Sequence, residues 1–201
     1  SCNASEILVM FIGPILGMPL PLLPLQILWI NLVTDGLPAL ALGVEPPEEN
    51  VMRRPPYSST ESIFGRGMGV FILMAGLVIS LMALGVGFVG WYVGSESWQT
   101  LLFTTLVFSQ LAVALSVRSE SSSLWKVGFF TNRPMVFALI GTTALQMIVI
   151  YVPFFQRLLH TTPLSLGELA IVFAIAIATF AVVEIIETTT LRTRNEATSQ
   201  E

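Results

Sequence analysis

Long apolar runs separated by short polar stretches organise this chain, and each run can be measured against the ~20 residues needed to cross the hydrocarbon core of a bilayer. Six spans are predicted, at about 1–17, 22–44, 67–93, 99–117, 135–155 and 167–186, with cytoplasmic loops at 45–66 and 118–134. Pro19, Pro21 and Pro24 make a tight apolar turn between the first two spans, because successive prolines cannot continue a helix. The fold class expected is all-α, a polytopic membrane helix bundle of about six transmembrane helices filling one domain, 1–201. The chain opens on Ser-Cys-Asn-Ala-Ser-Glu, already the polar part of a helix, as the C-terminal piece of a longer protein would.

Composition agrees with the pattern. Hydrophobic residues make up 54% and charged residues 11%, against roughly 25% charged in an average soluble domain, and mean hydropathy is +0.79. The net charge of −4 says little about partners, since most acidic residues lie in one loop and at the chain end. The bilayer is the expected partner, and nothing points to nucleic acid. The single cysteine, Cys2, excludes an intrachain disulfide, and no Cys/His metal cluster is present. No signal peptide is expected before the first span. Arg53, Arg54, Arg66, Arg118, Lys126, Arg133, Arg192 and Arg194 fall on one side of the spans and Arg157 alone on the other. The positive-inside rule then puts both termini in the cytoplasm. Trp91, Tyr92, Trp98, Trp125 and Tyr151 stand near predicted boundaries, as an aromatic belt does.

Candidate chemistry concentrates in the first two spans. Asp35, the only aspartate, lies inside the apolar run 22–44. A carboxylate at the bilayer centre costs about 2.5–3.5 kcal/mol on insertion scales, so a cation, a proton or a water-filled cavity is needed to compensate it. Asn31, Thr34 and Asp35 are spaced i, i+3, i+4 and share a helix face, as do Asn3 and Glu6 in the first span. Gly36 and Pro38 should break the second helix beside Asp35, the proline by freeing the carbonyl of Thr34. Broken helices at membrane depth line cavities and build ion sites. Carboxylates, amides, a hydroxyl and loosened carbonyls suit a hard cation, Ca²⁺ taking six to eight oxygens. The competing reading of Asn31 and Thr34 is that they are interhelical hydrogen-bond partners only.

The string Leu28-Trp29-Ile30-Asn31-Leu32-Val33-Thr34-Asp35-Gly36-Leu37-Pro38-Ala39-Leu40-Ala41-Leu42-Gly43, followed by Glu45-Pro46-Pro47 and Met52-Arg53-Arg54-Pro55-Pro56, closely resembles the sixth membrane helix and following loop of calcium-transporting P-type ATPases. Asn3-Ala4-Ser5-Glu6 is similar to the ion-binding turn of that family's fifth helix. The resemblance covers the whole chain, as the last six of ten membrane helices. It implies that Asn3, Glu6, Asn31, Thr34 and Asp35 coordinate the transported ion. Members that carry two calcium ions have a glutamate on the eighth helix, and the matching position in Val107-Phe108-Ser109-Gln110-Leu111 is Gln110, at most a weak ligand. The resemblance is therefore to the one-ion plasma-membrane and secretory-pathway type, with Ca²⁺ ahead of Mn²⁺.

The same resemblance implies what the stretch lacks. The family's phosphorylated Asp-Lys-Thr-Gly segment is not here, the only lysine being Lys126, and no Walker-type loop occurs. ATP and Mg²⁺ would act only through cytoplasmic domains outside this stretch, which alone should not hydrolyse ATP. Its partners would be those domains and the pump's N-terminal helices, whose fourth member supplies a further glutamate. With Glu6 and Asp35 that makes three negative charges. One Ca²⁺ leaves about one, which a proton can neutralise, so one ion per cycle with proton countertransport is expected, in the plasma membrane. A passive channel, an ion-coupled carrier or an accessory membrane subunit are the alternatives.

Other residues carry blander expectations. His160 reads as a solvated external loop residue. Glu184 and Glu187 read as structural groups near the end of the last span, within reach of Arg192 and Arg194. Gly67, Gly69, Gly76, Gly85, Gly87, Gly90 and Gly94 make the third span smooth, which close helix packing explains and a sliding surface would also use.

Overall fold

The computed structural model describes residues 1–45, 68–118 and 132–198, with side chains as far as residue 188. Most of the loops expected at 45–66 and 118–134 lie outside the described residues, and with them Arg53, Arg54, Arg66, Trp125 and Lys126, as do the side chains of Arg192 and Arg194. All regular structure among the described residues is helical.

Helix α1 runs Cys2–Ile15. With 14 residues it is shorter than the five other apolar stretches, each long and apolar enough to cross a membrane. The second span is in three pieces: α2 (Pro24–Trp29), a π turn (Ile30–Thr34) and α3 (Gly36–Leu42). Pro24 starts it at the first helical turn, where a missing N–H is harmless. The disruption expected near Gly36 and Pro38 thus lies just N-terminal to them. The Asp35 amide reaches back five residues to the Ile30 carbonyl at 2.9 Å, and beyond Pro38, which has no N–H, the Ala39 amide donates to Asp35 O at 3.0 Å.

Helices α4 (Met68–Tyr92) and α5 (Trp98–Ser116) match the third and fourth predicted spans. The fifth is corrected. Instead of one helix over 135–155 there are two, α6 (Arg133–Tyr151) and α7 (Pro153–Leu159), separated by Val152 in extended conformation. Pro153 is the cause: it disfavours helical geometry at the residue before it and fits the first position of a new helix. His160, exposed and with φ 51°, then ends α7 in the left-handed region. Helix α8 (Leu166–Thr198) continues past the predicted end at 186. At its start Glu168 accepts from Ser165 N (2.7 Å) while Ser165 Oγ accepts from Glu168 N (3.3 Å), a capping box.

Helix α5 is the centre of the bundle, 83% buried over its span where the other four lie between 22% and 33%. It packs on α4 and α8, while α1 packs on α4 and α3 on α6. Its residue types account for the position, since polar groups in a membrane need partners inside the protein. Thr100 pairs with Thr162 (3.2 Å), Thr105 Oγ1 donates to Leu101 O (2.7 Å) and Ser109 pairs with Thr179 (3.3 Å). The smoothness of α4 is used for close approach. A Cβ on Gly76 would stand 3.0 Å from Ala4 Cβ on α1, and one on Gly87 2.8 Å from Leu102 Cβ on α5.

Candidate cation site

Glu6 is the buried anchor, 5% exposed. The π turn sets Asn31 opposite it, and Asn31 Nδ2 donates to Glu6 Oε2 at 2.7 Å and to Ile27 O at 3.0 Å. Both amide hydrogens are thereby committed, so Oδ1 is the side of Asn31 left to meet a cation. From α5, Gln110 Nε2 donates to Glu6 Oε1 at 3.3 Å and to Ser5 Oγ at 3.5 Å. Gln110 Oε1 is buried with no partner. Thr34 is buried and its hydroxyl donates to Ile30 O at 2.9 Å, which holds its oxygen on the inner face of the π turn and leaves its lone pairs available.

Asp35 caps the π turn, partly exposed, with the Cys2 side chain beside it and Glu6 within electrostatic reach. Two carboxylates whose charges act on each other favour a cation between them. Asn3 is placed differently. It stands exposed on α1, while Ser5 and Glu6 face inward. Four of the residues read from the sequence, Glu6, Asn31, Thr34 and Asp35, therefore gather around the π turn with Gln110, and Asn3 does not join them. Ser5 and Cys2 are neighbours that sequence reasoning missed. Ser5 Oγ donates to Cys2 O at 2.6 Å, and only its place next to Glu6 could have signalled it.

Among the described residues no three His, Cys, Asp or Glu side chains group as a metal site. Amide, hydroxyl and main-chain oxygens must complete any shell around the two carboxylates, a donor chemistry suited to hard, oxygen-seeking cations.

A second polar cluster closes the far end of α3. Arg118 Nη2 meets Glu45 Oε1 at 2.8 Å, and Asn132 Nδ2 donates to Glu45 Oε2 (2.5 Å) and Ala41 O (3.0 Å). Partial burial works against the Glu45 charge, but the hydrogen bonds from Arg118 and Asn132 and the Arg118 charge hold its carboxyl below the ordinary glutamate value. Ser116 Oγ lies 3.1 Å from Glu184 Oε2 and 3.0 Å from Glu187 Oε2, tying α5 to α8.

The family described as "Cation transporting ATPase, C-terminus" matches residues 19–188, which takes in every element from α2 to the apolar part of α8. The chain belongs to this cation transporting ATPase family. A "Calcium-transporting ATPase" of Bacillus subtilis is 38% identical over 182 residues, 89% of this chain and 20% of the relative. "Calcium-transporting ATPase 1" of Bacillus cereus is 35% identical over 93% of this chain and 23% of its own length, and human "Calcium-transporting ATPase type 2C member 1" 33% identical over 93% and 21%. The chain spans about a fifth of the length of these relatives. As a cation transporting ATPase region with, among the described residues, five helices long and apolar enough to cross a membrane, it is an integral, multi-pass membrane protein.

Proposed function

We propose that this chain is the ion-binding transport region of an ATP-driven pump that moves Ca²⁺ out of the cytoplasm, one ion per cycle. The observation that carries the reading is the meeting of Glu6 and Asn31 at 2.7 Å across the α1 and π-turn interface, with Asp35 next to it. Oxygen donors on a locally unwound helix can change their grip on an ion with little movement elsewhere. Asp35, Glu6, Asn31 and Thr34 would be ligands, and Asn3 would join only if α1 turns. Gln110 presents an amide where a third charge of this chain would otherwise stand, which favours one divalent ion. A proton moving the other way would balance the charge left behind. ATP and Mg²⁺ would act through domains beyond this chain, with both termini in the cytoplasm and the pump in the plasma membrane.

The test is phosphorylation of the full-length protein by ATP across Ca²⁺, Mn²⁺, Mg²⁺ and Na⁺. Ca²⁺ should trigger it at the lowest concentration, and Asp35→Asn, which keeps shape and removes charge, should abolish the response while the protein remains inserted. Retained Ca²⁺-dependent phosphorylation at near-wild-type affinity in that variant would refute the site. A response to Mn²⁺ ahead of Ca²⁺ would reassign the ion.

A further inference from the structure

The two arms of the second span are each tied to α6, on opposite sides of the π turn. On the α2 side, Trp29 Nε1 donates to Gln146 Oε1 at 3.1 Å, and Gln146 Nε2 donates onward to Thr104 Oγ1 of α5 at 3.5 Å. The Trp29 ring also meets Phe155 of α7 edge to face, centroids 6.4 Å apart. On the α3 side, Asn132 Nδ2 donates to Ala41 O at 3.0 Å as well as to Glu45 just beyond α3, while its Oδ1 caps α6 by accepting from Met135 N at 2.9 Å. Trp29 and Ala41 stand equally far from Asp35 along the chain. Gln146 and Asn132 are wholly buried or nearly so, and at about 1.5 Å per residue their separation along α6 is ~21 Å.

A π turn inside a membrane helix is a place where the helix can bend, so the backbone ladder alone does not fix its two ends relative to each other. From the placement of both ties we infer that Gln146 and Asn132 are positioning residues, and that α6 is a splint holding α2 and α3 at the spacing and rotation that present Asn31, Thr34 and Asp35 to the ion. Neither residue reaches the ion donors themselves. Their effect is preorganisation, so that less of the binding energy is used in ordering the turn. This rests on the transport reading proposed above.

The experiment uses the full-length protein and measures the Ca²⁺ concentration for half-maximal phosphorylation, the maximal phosphorylation level and the thermal midpoint in detergent. Gln146→Met keeps length and removes the hydrogen bonds. Asn132→Ser keeps a capping hydroxyl and withdraws the reach to both Ala41 and Glu45 at the end of α3. Thr142→Val, on the same buried face, removes a hydroxyl that has no partner and serves as the control. Each splint variant should raise the half-maximal concentration about fivefold, the loss of about one ordinary hydrogen bond's worth of positioning, with the maximal level retained. Thr142→Val should leave it unchanged. Equal half-maximal concentrations in all four proteins, or an equal rise in the control, would overturn the splint while the transport reading stands. A wild type without any cation-dependent phosphorylation would remove both. If Gln146→Met lowers the thermal midpoint, Asn132→Ser at the other tie still decides the matter.

Discussion

Replacing Gln110 by Glu tests what the central amide does beside Glu6. In the wild type its Nε2 donates to Glu6 Oε1 across 3.3 Å. A carboxylate in its place exchanges that donor for a like charge at about the same distance. The lost charge-assisted hydrogen bond is worth about 1.5–3 kcal/mol. The new repulsion, taken at an effective dielectric of about 20, is about 5 kcal/mol. Together these exceed what the buried pair can tolerate with both groups ionised and no cation, so the empty site must take up an extra proton. Binding of Ca²⁺ then has to expel it. The expected result is a steeper dependence of half-saturating Ca²⁺ on pH in Gln110→Glu than in the wild type, by about one proton per site. The assay is equilibrium ⁴⁵Ca binding to the purified full-length protein at several pH values, normalised to phosphorylatable sites. An unchanged slope with an unchanged ion count would refute the reasoning, and so would two ions per site in the wild type.

The α4 glycines make a paired prediction: Gly87→Ala, whose Cβ would press on Leu102, should destabilise by about 1–3 kcal/mol, whereas Gly85→Ala, with nothing within 4 Å, should be neutral or stabilise by up to about 1 kcal/mol. Thermal unfolding in detergent reads the sign of each, and equal signs would sink the packing argument. The Glu45 carboxyl sits below its ordinary value of 4.5 in the folded state. Its contribution to stability is therefore fully present above that value and is lost as pH falls below 4.5 through the lowered folded value. Arg118→Gln should flatten that part of the pH profile of the melting midpoint, and an unaltered profile would show that the pair contributes nothing.

The long apolar helices were legible in outline because an apolar run of sufficient length has few other uses in a polypeptide. The break at Val152 was not, since Pro153 lies within an apolar run and hydropathy is blind to a missing N–H. The π turn was legible only in outline. Gly36 and Pro38 announce a disturbance, but the five-residue reach from Asp35 to Ile30 is a tertiary choice among local options. The face of α1 was harder still. Residues i and i+3 stand about 60° apart around a helix, and that offset is enough to leave Asn3 exposed while Glu6 turns inward against Asn31.

Polar residues in the apolar spans of this chain had two uses that sequence alone could not separate. Gln26, Gln110 and Gln146 look alike as lone amides among leucines and valines, yet each is buried for a different purpose. Gln26 donates to Leu159 O at 3.0 Å and secures the turn after α7. Gln146 relays between Trp29 and Thr104. Only Gln110 touches a carboxylate and retains an unpartnered oxygen. Burial makes an unmet hydrogen bond costly, so a membrane amide is informative by the partner it lacks. That criterion singles out the convergence of α1, the π turn and α5, the site proposed above, whereas Gln26 ties α2 to α7 and Gln146 ties α2 to α5.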